Sequence, residues 1–147
     1  MNEAMEGLKE DGIPIGAILV KDIKIIGRGH NRRIQRDDPI MHGEIDCIRD
    51  ATKKEMNLRG SVLYTTHMPC YLCTGAIIQF GISRVVAGDS TTFPHARPLL
   101  IKKGIEVIDL KMKDCKHMLE DFIQHHPQYW KKTAKKNTPL VVNKYAQ

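Results

Sequence analysis

Ser61-Val62-Leu63-Tyr64-Thr65-Thr66, then Cys70 to Phe80 closed by Gly81, then Arg84-Val85-Val86-Ala87-Gly88: this stretch reads as strand, helix, strand. The outer runs are short, apolar and β-branched, and the middle run is an apolar helix ended by glycine. A helix between two strands is the connection that lays strands parallel in one sheet. The alternation continues downstream, with a loop over 89–95, a helix over 96–103 ended by Gly104, a strand at Ile105-Glu106-Val107-Ile108-Asp109 and an amphipathic helix over 112–125. Upstream, Ile15 to Val20 and Ile23 to Gly27 are β-rich runs parted by Lys21-Asp22, which reads as an antiparallel hairpin. Met1, Ala4, Met5 and Leu8 stand at helical spacing in a short opening helix that Gly12 and Pro14 stop. Arg28 to Pro39 lacks periodicity and reads as a loop, after which Ile45, Ile48 and Ala51 mark one face of a helix starting near His42. The fold class is therefore α/β, a three-layer α-β-α sandwich around a central mixed sheet of about five strands.

The 147 residues are 41% hydrophobic and 27% charged, as in ordinary globular proteins, and suit a single domain over 1–147. No run approaches the roughly 20 apolar residues that span a bilayer, and the N-terminus lacks a basic-then-apolar signal pattern. We expect a cytoplasmic protein without a membrane partner. The formal charge is +6, and Lys131, Lys132, Lys135, Lys136 and Lys144 concentrate much of the basic excess in a C-terminal tail, 131–147, extended over 138–147. Such a tail is more often a solvated end than a nucleic-acid contact, so nucleic acid is not the expected partner.

Chemistry concentrates at two places. Cys70 and Cys73 stand three residues apart at a helix start after Pro69, so both sulfurs share one face near the positive end of the helix dipole. Alone, this spacing reads equally as a redox pair, two buried thiols or half a metal site. His42-Gly43-Glu44, at the other predicted helix start, adds an imidazole and a carboxylate, a tripeptide that by itself is ordinary surface. Together the two pieces match the H-x-E…P-C-x-x-C signature of zinc deaminases. One His and two Cys fill three positions of a tetrahedral Zn²⁺ and leave the fourth for water, as catalytic zinc requires. In this reading Glu44 takes a proton from that water, passes it to the ring nitrogen beside the amino-bearing carbon, and later carries a second proton to the amino group, which leaves as ammonia.

Further motifs carry a resemblance. Pro14-Ile15-Gly16, Gly27-Arg28-Gly29-His30-Asn31, His42-Gly43-Glu44-Ile45, Leu63-Tyr64-Thr65-Thr66, Pro69-Cys70 with Cys73-Thr74-Gly75-Ala76-Ile77-Ile78, and Pro127-Gln128 with Trp130 follow one another as in the fungal-type cytosine deaminases. The chain resembles that branch of the cytidine and deoxycytidylate deaminase superfamily over most of its length. Gly43, where tRNA adenosine and guanine deaminases typically carry alanine, favours the same branch. The resemblance implies a cytidine-deaminase-like homodimer with one Zn²⁺ per subunit, working in pyrimidine salvage on a small-molecule substrate. It assigns Asn31 to a hydrogen bond with the base and Gly43 to a backbone N–H contact. Ile15, Phe93 and Trp130 then enclose the ring, though as plain residues Asn31 reads as a loop side chain and the other three as core.

The sequence also departs from that branch. Three positions after the tryptophan, where the family holds an acidic residue for the exocyclic amino group, stands Thr133, beside the basic Lys131 and Lys132. Cytosine is the default substrate. Another small ring (creatinine, isocytosine or guanine) and, more remotely, a base in RNA such as tRNA adenosine are the alternatives. His67-Met68 precedes the Cys70 helix where the fungal enzymes have a smaller pair, and His67 reads either as a loop residue or as a substrate contact. Cys47 and Cys115 read as buried thiols, and His125-His126 as the end of a helix.

Overall fold

The structure, a computed structural model, describes residues 1–131. Thr133 and the tail beyond it, on which the substrate default and the basic C-terminus turn, lie outside the described residues. A short helix α1 (Asn2–Lys9) leads into the hairpin β1 (Gly16–Lys21) and β2 (Lys24–His30). The helix α2 (Gly43–Thr52), the unit β3 (Val62–His67), α3 (Tyr71–Gln79), β4 (Arg84–Asp89), and then α4 (Arg97–Lys102), β5 (Glu106–Asp109), α5 (Lys113–His125) and α6 (Pro127–Lys131) follow.

The five strands form one sheet in the order β2-β1-β3-β4-β5. β1 pairs antiparallel with both β2 and β3, and the β3–β4 and β4–β5 pairs are parallel, with Leu63 opposite Val85 and Val85 opposite Val107. Hairpin turns make the first kind of neighbour and crossover helices the second, so the sheet is mixed as the alternation predicts. Leu19, Leu63, Val85 and Ala87 face α2 and α3, where Cys47, Ile48, Ala51 and Ile77 close the main core. α1 and α5 lie against the other face, giving three layers. A second cluster joins Ile13, Ile15, Leu119 and Phe122 to Phe93 and Trp130 and forms an apolar wall beside the carboxyl end of β3.

Two elements depart from the sequence reading. β2 runs on to His30, three residues into the predicted loop, and its glycines explain why. Gly27 and Gly29 weaken the strand signal, yet they let α2 lie directly on β2: a Cβ on Gly27 would stand 2.6 Å from the Cys47 carbonyl oxygen, and one on Gly29 would meet the Cys47 amide. α6 is a five-residue helix opened by Pro127, too short for periodicity to reveal. It carries Trp130 to Phe93.

Candidate metal centre and active site

α2 and α3 begin side by side at the carboxyl end of the sheet, where β1 and β3 meet antiparallel, and His42 and Cys70 are their N-cap residues. In open α/β sheets this end, at a change in strand direction, is where ligands bind. The two helix starts bring His42 Nδ1 within 3.4 Å of Cys70 Sγ and 3.7 Å of Cys73 Sγ, and the two sulfurs stand 3.8 Å apart. With Zn–S near 2.3 Å and Zn–N near 2.0–2.1 Å, the edges of a tetrahedral site are about 3.8 Å between sulfurs and about 3.6 Å between nitrogen and sulfur. The observed triangle matches those edges, so the residues fit a zinc ion. His42, Cys70 and Cys73 are also the one group of three metal-binding side chains found converging among the described residues.

The charges are tuned by the same contacts. The hydrogen-bonded contact with Cys73 Sγ, with help from His42, holds Cys70 down at about 4, while Cys73 is pushed up by that partnership and by burial. His42 is raised: burial opposes its charge, but the bond to Cys70 outweighs it. Glu44 is 4% exposed, and burial followed by the neighbouring Cys70 charge raises its carboxyl well above the usual carboxylate range. The Cys73 thiol donates to Glu44 Oε2 at 3.3 Å, so the carboxylate stands beside the ligand triangle without belonging to it.

A cavity of about 240 Å³ opens onto His42, Cys70 and Glu44, and Ile15, Asn31, Phe93 and Trp130 line it. The Phe93 and Trp130 rings lie 5.5 Å apart at 46°. Asn31 is buried; its amide donates to the Ile15 carbonyl at 2.8 Å and its Oδ1 accepts the Arg33 N–H at 3.1 Å. That bond turns the carbonyl of the side chain toward the loop and leaves the NH₂ group as a donor for a ligand. Gly43 does not line the cavity but stands directly behind it, at the first residue of α2, where N–H groups lack intrahelical partners. The structure thus brings His42, Glu44, Cys70, Ile15, Asn31, Phe93 and Trp130 to one cavity, with Cys73 beside it in the triangle and Gly43 behind it, while Thr133 lies outside the described residues.

The matching of these features to known proteins is extensive. The profile of the cytidine and deoxycytidylate deaminase zinc-binding region matches residues 1–89. A cytosine deaminase of Candida albicans is 37% identical over 132 residues, 88% of each chain. This protein belongs to the cytidine and deoxycytidylate deaminase family. It is a zinc-binding deaminase, a hydrolase acting on C–N bonds. A tRNA-specific adenosine deaminase of Buchnera aphidicola is 40% identical over 116 residues, 77% of each chain. A solved structure from a study of A-to-I editing by tRNA:A34 deaminases superposes with a TM-score of 0.72 at 29% identity, covering 80% of this chain and 94% of that one.

Two cavity residues of this deaminase went unremarked in the sequence, Ile13 and Arg33, and Met68, noted there only as larger than its fungal counterpart, lines the cavity as well. Arg33 is one of four arginines between positions 28 and 36, and nothing in their spacing separates the one that faces the site. Its Nε donates to the Pro39 carbonyl at 3.1 Å, which holds the loop against the cavity. His67, read as a loop residue or a contact, is the last residue of β3 and lines the cavity at 1% exposure. Its Nδ1 lies 3.2 Å from Thr66 Oγ1, and burial pushes it down to about 4, so the ring is neutral at physiological pH. Cys47 and Cys115 are buried thiols away from the triangle, as expected, and burial raises both. His125 Nδ1 lies 2.7 Å from the Asp121 carbonyl, a helix-end contact. No helix among the described residues is long and apolar enough to cross a membrane.

Proposed function

We propose that the chain hydrolytically deaminates a small free heterocycle, with cytosine going to uracil as the default reaction, and that His42, Cys70 and Cys73 hold the zinc while Glu44 moves the protons. The observation that carries this reading is the buried Glu44 carboxylate, set beside a ligand triangle of tetrahedral dimensions and facing a small cavity. Zinc, when bound, supplies an acidified water as nucleophile. Glu44, its carboxyl raised by burial, takes one proton from that water and passes it to the ring nitrogen beside the reacting carbon, then carries a second, from the hydroxyl added at that carbon, to the amino group, which leaves as ammonia. Asn31 donates to a ring carbonyl, and the Gly43 N–H offers a second donor. Ile15, Phe93 and Trp130 sandwich the ring and exclude water.

Two features favour a free base. The cavity, at about 240 Å³, is smaller than the roughly 300–1,000 Å³ typical of sites for drug-sized ligands. The cytosine deaminase of Candida albicans matches over 88% of this chain, more than the 77% matched by the tRNA-specific relative. That relative supports a second reading, deamination of adenosine in tRNA, and Thr133 keeps isocytosine, creatinine and guanine in play. Ammonia release by the zinc-loaded protein from cytosine, isocytosine, guanine, adenine, cytidine and creatinine tests the set. Cytosine turnover supports the default, and turnover of none of them, with activity on tRNA, replaces it.

The same proposal takes 1–147 as one cytoplasmic domain with a basic tail at 131–147, acting in pyrimidine salvage as a homodimer. The outer side of α3 supports the dimer: Tyr71 and Leu72 are 55% and 44% exposed on a helix that carries no charge, with Phe80 exposed at its end. Sedimentation of the full chain at micromolar concentration is the test, and a monomer refutes the dimer.

A further inference from the structure

Away from the catalytic cavity, a second cleft of about 160 Å³ lies between the edge strand β2, the loop after it and α2. Arg28, Arg32, Arg36, Arg49 and Lys53 line it, with Asp46 and Asp50 at its base. Asp46, Arg49, Asp50 and Lys53 share one face of α2, at i, i+3, i+4 and i+7. Both carboxylates are already committed. Asp46 accepts from Arg32 Nε at 2.9 Å and from the His30 amide at 3.4 Å, and Asp50 from the Arg28 amide at 3.1 Å and Lys54 Nζ at 2.8 Å. Arg28 and Arg32 also reach Glu3 and Glu10. The side chains of Arg36, Arg49 and Lys53 make no hydrogen bond or ion pair with any described residue. The cleft therefore holds a surplus of positive charge around a pocket of about 160 Å³.

We infer that this cleft binds a phosphate group. Four of its five cations are arginines, whose forked N–H groups match a tetrahedral oxyanion, and a doubly charged group balances the excess better than a carboxylate would. The pocket has room for the phosphate itself, with its ester outside. The source is either a small phosphorylated molecule or the backbone of a nucleic-acid strand. A strand is geometrically compatible with the site, because Arg49 lies seven residues along α2 from His42, about 10 Å at 1.5 Å per residue.

The test uses the full zinc-loaded chain, the triple variant Arg36→Gln/Arg49→Gln/Lys53→Gln, and a tail variant Lys135→Gln/Lys136→Gln. Binding of inorganic phosphate and pyrophosphate is read by thermal melting, and binding of a short single-stranded RNA by fluorescence anisotropy over a salt series. The triple variant should lose about ten-fold in affinity for at least one probe, as expected when charge-assisted contacts are removed. Loss confined to the small anions names a phosphorylated small molecule. Loss for RNA, with the log–log salt slope reduced by about 0.7 for each contact removed, names a strand. Equal binding by the wild type and the triple variant, or a loss that follows the tail variant instead, overturns the inference. The three substituted side chains are exposed and outside the catalytic cavity, so ammonia release from a free base should not change. The binding readouts therefore stand or fall apart from the proposed deamination.

Discussion

Gly43→Ala is the smallest change that separates the proposed site from a generic helix start. A Cβ built at Gly43 lies 2.7 Å from the Ile15 carbonyl oxygen and 3.3 Å from the Asn31 amide, and both are backbone atoms. Ordinary contacts of this kind begin near 3.4 Å, so α2 and the β1 end must separate by several tenths of an ångström. The atoms pushed are those of one hydrogen bond, Asn31 N–H to Ile15 C=O at 2.8 Å, which joins two walls of the cavity. Overpacking of this size costs about 1–3 kcal/mol. At about 2–4 °C per kcal/mol for a chain of this length, the melting temperature should drop by roughly 2–12 °C. Displacement of a positioning group by a fraction of an ångström to 1 Å should lower kcat/KM by about 10- to 100-fold, while zinc content stays at one per chain because no ligand moves off its helix. Melting, metal analysis and steady-state ammonia release on the same preparation decide it. Unchanged melting and unchanged kcat/KM would show that Gly43 is not held against Ile15 and would refute the reasoning.

Glu44→Gln keeps the shape of the site and removes the proton carrier, so turnover should fall by about 10²–10⁴-fold with zinc retained, and full activity would sink the mechanism. Cys73→Ala removes one of three ligands and should release zinc on dialysis, whereas one zinc per chain in that variant would contradict the assignment. His67, neutral in the folded chain with a value near 4 against 6.5 unfolded, binds a proton more readily when unfolded, so its contribution to stability falls as pH drops from about 6.5 to 4. The loss amounts to about 3 kcal/mol at most. The stability gap between wild type and His67→Leu, followed by denaturant melts across that window, should shift by that order in favour of the variant, and parallel curves would refute a buried neutral His67.

Spacing within single elements made part of this protein legible before any contact between elements was known. The strand-helix-strand unit from Ser61 to Gly88 predicts parallel strands, and β3, α3 and β4 form them. Cys70 and Cys73 one helical turn apart, and His42 two residues from Glu44, predict ligands and an acid at helix starts, and both motifs stand there because local periodicity fixes which side chains share a face. The tertiary structure decided everything that depends on separate elements meeting. It set the 3.4–3.8 Å triangle across residues 28 and 31 positions apart, the entry of Arg33 rather than its neighbours into the cavity, and the burial of His67 at the end of β3. It also turned Arg28, Gly29 and His30 from apparent loop residues into the end of a strand on which α2 rests, and gathered arginines of β2 and the loop after it with α2 cations into one cleft. These meetings are fixed by how closely packed backbones approach, a quantity that no pattern of neighbours along the chain encodes.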